Sequence, residues 1–459
     1  MIQRPSNYRL RFKFGSLLVS SLMLSGYHCA LLADEYHYNN LLVGGEAVSL
    51  GGAYTALSND LSVMQYNVAG LGWVKRDKTA SINTLSWEQT DFEQVFSNGE
   101  DFNRDAFSVI PGFFGLSIKE GKWSYGVSIA ATDFSKERSN QDVFYQRPST
   151  DSSISQTVNE YVNINIDNSA YKFTLGTAYS PHAALSYGAS LSIEYREFQT
   201  VQGSGSQIQT QIGDQVLLNG FDASRRFDDV LWILQPSIAM QYRQQGWQFG
   251  VQLSKDFTLS REYEVTSNIL VASEVPLPDF VTPVSRISAS HDEAQDYPWR
   301  LATGVSYQLD KLLLSFDWHF YSNVDNDEYY VDDIQTPITR DLTQVSNFSL
   351  GLKYPISNTS SLAFGLFTDN SNAKIDTDID FQRVEDIDLL GVSFSLESVL
   401  LDMPFTVGAY YKWGDGQVRF ADIRSVEEIV GLPLYPDNDT FDVADATKRS
   451  FILYLSLDF

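Results

Sequence analysis

Residues 300–320 read RLATGVSYQLDKLLLSFDWHF, two runs in which apolar and polar positions alternate on either side of one tight turn. Leu301, Thr303, Val305, Tyr307 and Leu309 share a face against Arg300, Gly304, Ser306 and Gln308. After Asp310 and Lys311, Leu312, Leu314, Phe316, Trp318 and Phe320 oppose Ser315, Asp317 and His319. Period-two alternation with one greasy face describes strands that border an apolar medium on one side only. A soluble sandwich uses strands of roughly 5–6 residues. These runs last about ten or more, the length at which a tilted strand crosses a bilayer.

The pattern recurs to the end of the chain. Strands are expected at 79–87, 107–119, 121–133, 160–179, 182–199, 230–244, 246–259, 297–309, 311–324, 344–355, 358–370, 385–399, 403–414 and 447–459. Tight turns such as KEGK (119–122), SPHA (180–183) and QQGW (244–247) alternate with long polar excursions such as 134–159, 200–229, 260–296 and 415–446. Short turns on one side and long loops on the other are the signature of an outer-membrane barrel. The expected fold class is all-β: a transmembrane antiparallel β-barrel of about 14 strands with an N-terminal lumenal hatch, located in the bacterial outer membrane. An even count returns both chain ends to the short-turn, periplasmic side. The last strand, SFILYLSLDF, alternates up to a terminal Phe459, the type of end that the barrel assembly machinery reads. Trp87, Trp247, Trp318, Tyr354 and Trp413 near strand ends suit interfacial girdles or ordinary packing.

The first 33 residues differ. Arg4, Arg9, Arg11 and Lys13 precede an uncharged apolar run from Gly15 to Ala33, which reads as a signal peptide or, alternatively, a signal anchor. Cys29, the single cysteine, lies within it, so the exported chain is expected to carry no thiol. Losing the four basic residues takes the formal net charge from -26 to about -30. Such a surface excludes nucleic acid as a partner. It suits divalent cations held with lipopolysaccharide.

Between the signal and the first strand, residues 34–77 form a compact, glycine-bracketed segment that includes GGAYTALSNDLSVMQYNVAGLGW (51–73). A barrel of this strand number leaves a lumen, and a segment starting on the periplasmic side can fold into it as a plug; a periplasmic tail or a first hairpin are the alternatives. Gly51 and Gly52 permit tight bends. Asn59 and Asp60 are suited to cap a short helix from Leu61 to about Gln65, ended by Gly70 and Gly72. The division is therefore 1–33 signal, 34–77 hatch and 78–459 barrel.

The stretch LGGAYTALSNDLSVMQYNVAGL resembles the hatch of the long-chain fatty-acid transporter (FadL/TodX) family of outer-membrane proteins, whose Asn-Pro-Ala-Gly-like signature falls on Asn67, Val68, Ala69 and Gly70. Residues 170–198, 296–320 and 345–367 look like that family's strand pairs. The resemblance implies transport of a hydrophobic small molecule such as a long-chain fatty acid, from extracellular loops to a pocket beside the hatch and out through a strand kink into the membrane. Val68 stands where the family usually has proline, which puts the tightness of the plug in doubt. PorV-type barrels share a similar hatch and act in protein secretion; a non-specific porin is a third reading.

Pro111 and Gly112 interrupt an otherwise good strand and are the candidate wall kink, or a plain strand entrance. Leu61, Met64 and Tyr66 are candidate pocket residues, or packing of the plug. Lys172, Glu194, Arg196, Arg300, Asp317 and His319 are placed in the lumen, because Arg or Lys facing lipid at mid-depth costs about 2–4 kcal/mol. Arg300 and His319 could meet a carboxylate, or pair with their neighbours. No enzyme fingerprint, metal-ligand spacing or cofactor motif is present.

Overall fold

The computed structural model describes residues 36–75, 78–96, 98–110, 112–147, 154–273, 284–291, 294–331, 334–375, 385–400, 403–419 and 443–458. The expected signal peptide and Pro111 lie outside them. The N-terminal segment holds α1 (Gly45–Ser49), α2 (Val63–Tyr66) and a 3-10 turn (Val68–Gly72). No helix among the described residues is long and apolar enough to cross a membrane.

Strands make up the rest. They are β1 (Lys78–Phe92), β2 (Phe102–Ser108), β3 (Phe113–Glu120), β4 (Trp123–Arg147), β5 (Ile154–His182), β6 (Leu185–Ile212), β7 (Gln215–Gln244), β8 (Trp247–Lys255), β9 (Phe257–Ser273), β10 (Val284–His291), β11 (Trp299–Leu309) and β12 (Leu312–Tyr321). A separate hairpin, β13 (Val324–Val331) and β14 (Ile334–Leu342), precedes β15 (Val345–Pro355), β16 (Ser361–Asp369), β17 (Glu385–Leu400), β18 (Met403–Arg419) and β19 (Val443–Asp458). Seventeen segments form one sheet, and three spans are each made of two consecutive segments: β2 with β3, β8 with β9, and β10 with β11. The wall thus has 14 antiparallel spans. It closes where β1 pairs with β19, from Thr79 opposite Asp458 to Phe92 opposite Ala446. Closure pairs the first span with the last, which is what permits a sheet to span a bilayer.

The outward face is greasy. Phe173 and Leu175, Leu191 and Ile193, Phe348 and Leu350, and Phe364 and Leu366 are all exposed on neighbouring or nearby spans. Exposed aromatics bound this band: Trp123, Tyr187, Trp247 and Tyr354 beside the short turns, and Trp87, Trp232 and Trp299 at the other end. Apolar surface of this extent has no stable place in water. With girdles at both rims, it is the exterior of an outer-membrane β-barrel.

Two expected loops are strands instead. Most of 134–159 and 200–229 continues the β4–β5 and β6–β7 ladders, which remain paired out to Arg147 with Gln156 and to Ile212 with Gln215. The reason is visible in VNEYVNINID: alternation persists after most outward residues become Asn and Asp, so the strand continues into water. The spans β5, β6 and β7 reach 29, 28 and 30 residues.

Inward positions are small where the N-terminal segment fills the lumen. A Cβ on Gly188 would lie 2.4 Å from Ala69 N, one on Gly250 2.0 Å from Thr55 O, and one on Gly365 2.2 Å from Gly51 N. Leu50, Tyr54, Leu57, Leu61, Val63 and Val68 form one buried cluster with Ala130, Ala178, Ala239 and Ala363 of the wall. Wall glycine and alanine make the space that this apolar segment occupies.

Candidate functional site

Hydrogen bonds from many sides fix the segment to the wall. Tyr54 N and Thr55 N both donate to Asp317 Oδ2 of β12, at 2.9 and 2.7 Å. Gln241 Nε2 of β7 donates to Thr55 O and Leu57 O at 2.9 and 3.1 Å. Ser186 Oγ donates to Ala69 O at 2.7 Å, and Ser393 Oγ to Ser49 O at 3.0 Å. Lys353 Nζ of β15 reaches Glu46 Oε1 at 2.7 Å and also pairs with Glu397.

Within the segment, the Tyr54 hydroxyl accepts from Asn59 N and Asp60 N at 3.1 and 3.0 Å and lies within donating distance of Glu46 and Asp60. Burial first, and the neighbouring Glu46 carboxylate second, push the Asp60 carboxyl above its ordinary value. Helix α2 starts two residues later than expected, at Val63; Asp60 Oδ1 still caps the turn by accepting from Ser62 N at 2.8 Å. The chain then bends at Asn67, whose side chain accepts from Ala69 N and donates to Thr55 O at 2.9 Å. Val68 N donates to Gln252 Oε1 of β8 at 3.2 Å. A proline there would lack this donor, so the departure from the expected signature gains a wall contact. Gly70 is required by space, since its Cβ would meet Val63 Cγ1 at 2.6 Å. Gly51 and Gly52 take positive φ, 64° and 85°.

Above the segment lies a cavity of about 160 Å³ with a polar lining. Arg300 pairs with Asp256 and lies 5.1 Å from the ring of Tyr38, which stacks on Tyr321 at 3.8 Å. Arg196 pairs with Glu194 at 3.2 Å. His319 lines the cavity and contacts Thr55 Oγ1 at 3.4 Å. Of the pocket candidates Leu61, Met64 and Tyr66, only Tyr66 borders this space. Leu61 packs at Gly115, and Met64 at Gly126 and Gly176. The lumenal charges are in the expected place, yet Asp317 serves the segment instead of the cavity. Its role was invisible in sequence because the groups it accepts from are backbone N–H groups distant in the chain.

One sector of the wall is broken. β1 pairs with β2 from Ser86 and with β3 up to Ser81, so Ile82–Leu85 has no ladder partner on that side among the described residues. β4 meets β2 only at Glu137 and Arg138 and meets β3 from Ala130, and the register of β4 shifts between Ala131 and Asp133. Gly112, one of the kink candidates, lies in this interruption, and its carbonyl accepts from Ala131 N at 3.1 Å. Ile110 is buried beside Ala131, Leu41, Leu42, Tyr410 and Ile452. Leu41 and Leu42 also border the polar cavity, so an apolar cluster joins cavity and break. A second interruption, at Asp256 between β8 and β9, has no sequence signal because LSKDFTL reads as a continuous strand.

These features define an outer-membrane β-barrel whose lumen is occupied by its own N-terminal segment. No protein-family model and no curated protein matches the chain. Among solved structures, a Pseudomonas aeruginosa FadL homologue matches 91% of this chain and 98% of its own, with a TM-score of 0.56 and 11% identity. A deltaS2 mutant of the monoaromatic hydrocarbon channel TodX matches 92% and 100%, with a TM-score of 0.57 and 12% identity. The monoaromatic hydrocarbon channel CymD matches 92% and 99%, with a TM-score of 0.51 and 13% identity. The chain has the fold of the FadL and TodX barrels.

Proposed function

We propose that the protein is an outer-membrane channel for hydrophobic small molecules, with long-chain fatty acids as the cargo class, residues 34–77 as its hatch, and the β2–β3 interruption as a lateral exit. The observation that carries this reading is the apolar cluster of Leu41, Leu42, Ile110 and Ala131, which links the cavity to the broken wall sector. Transfer of each methylene out of water is worth about 0.8 kcal/mol. A route through the wall into lipid therefore follows the free-energy gradient, whereas release into the aqueous periplasm opposes it. The Arg300 side chain would face a carboxylate head, while Tyr66 and the two leucines would face the chain.

The test is Ile110→Trp, which fills the route without touching Arg300. Binding of a fluorescent fatty acid by purified protein should stay within about twofold, while uptake of labelled fatty acid by cells should fall about tenfold or more. Unchanged uptake would sink the lateral route. Steady ion conductance by the intact protein would instead mark an open pore.

A further inference from the structure

At the short-turn end of the barrel a vestibule of about 770 Å³ opens between the N-terminal segment and the turns at 183–184 and 245–246. Among the described residues its charges are Lys75 of the segment and Arg243 of β7, and no carboxylate lines it. In a chain of formal net charge -26 this is a local inversion of sign. Arg243 lies 4.2 Å from the centre of the Trp73 ring, and its Nε donates to Ala183 O at 3.1 Å. Neither Lys75 nor Arg243 makes an ion pair among the described residues. The buried indole N–H of Trp73 has no acceptor among them either. Two cations and an indole donor thus share one vestibule, with no carboxylate partner among the described residues.

The rim of the vestibule identifies the depth at which an anion would arrive. Trp247 lines it and is also 45% exposed on the outer belt, packed 4.4 Å from the Tyr307 ring. Aromatics of such a belt sit at the level of lipid headgroups. We propose that the vestibule is a binding site for the phosphate headgroup of an anionic phospholipid from the periplasmic leaflet. The guanidinium of Arg243 holds the phosphate by charge-assisted hydrogen bonds. Lys75 and the Trp73 N–H close on it from the segment, so one lipid bridges segment and wall. The acyl chains remain in the membrane beside Trp247.

The experiment uses the full-length protein in neutral detergent, titrated with short-chain phosphatidylglycerol, short-chain phosphatidylcholine and inorganic phosphate, with tryptophan fluorescence and thermal stability as readouts. Phosphatidylglycerol is expected to raise the unfolding temperature. The double variant Lys75→Gln/Arg243→Gln should weaken its binding about 10- to 30-fold. Unheated gel mobility shows that the variant barrel is folded. Should that variant aggregate, Trp73→Phe removes the indole donor alone and should weaken binding about threefold. Equal binding of phosphatidylcholine, equal competition by inorganic phosphate, or undiminished binding by folded variants would each overturn the assignment.

Discussion

The wall treats its N-terminal segment in two different ways. Around β5–β18, buried polar groups cross from wall to segment: Gln241, Asp317, Lys353, Ser393 and Lys412 each hold a backbone or carboxylate group of residues 40–57. Around β2 and β3, contacts are mostly apolar, through Ile110 and through Gly115 at Leu61, with one polar tie, Lys119 Nζ donating to Gly72 O at 2.8 Å. The ladder is continuous between β11 and β16 in the polar sector, which also holds the interruption at Asp256, and it lapses between β2 and β3 in the apolar sector. A buried hydrogen bond specifies one position, because leaving its donor unpaired costs about 1–3 kcal/mol. Apolar contact is non-directional and tolerates sliding. The segment is therefore held by many directional contacts on one side and by few on the other.

Filling the space that the pinned side uses should have the largest effect. Gly365→Leu places atoms where Gly51 N lies, 2.2 Å from the new Cβ. The segment should be expelled while the barrel still forms, giving steady conductance in planar bilayers where the parent is silent. A silent, folded variant would show that the segment accommodates the intrusion.

Removing one pin should do less. Asp317→Ala leaves Tyr54 N and Thr55 N buried without an acceptor, a loss of about 2–5 kcal/mol in unfolding of the segment. Hydrogen exchange should show Tyr54 and Thr55 losing protection before any wall strand does. Loss of protection first in β2 or β3 would reverse the comparison.

A smaller effect concerns pH. The folded-state value of Asp60 is raised above that of the unfolded chain, about 3.9. The folded form then binds the extra proton between the two values, so its stabilisation is complete below about pH 4 and declines as pH rises through the folded value. Asp60→Asn should flatten the segment's stability between about pH 4 and neutrality, with the parent steeper. Equal slopes for both would remove Asp60 from the account. The smallest change is expected for Val68→Pro, which exchanges the bond to Gln252 for a fixed φ. We expect a shift within about 1 kcal/mol.

Alternation made the barrel legible from sequence, and glycine with a short polar cap made the segment legible. The pattern of Arg300–Phe320 places Asp317 and His319 inward, as the structure does. What it could not give was partnership, because Asp317 and Tyr54 are 263 positions apart. The interruption at Gly112 was signalled by the preceding proline, whereas that at Asp256 depends on a shift in β7 between Trp232 and Ile233 that leaves no mark in composition. Polar outward residues disguised the upper parts of β5, β6 and β7 as loops. Hydropathy reports which solvent a strand faces, and here the strands outlast the membrane.

Those long spans set where a molecule from outside first meets the protein. At about 3.3 Å per residue, 30 residues extend roughly 100 Å along the strand, far more than the roughly 25 Å apolar band needs even when tilted. The excess continues as paired sheet beyond the apolar band. A solute from outside meets ordered sheet there, and can touch protein well before it touches lipid.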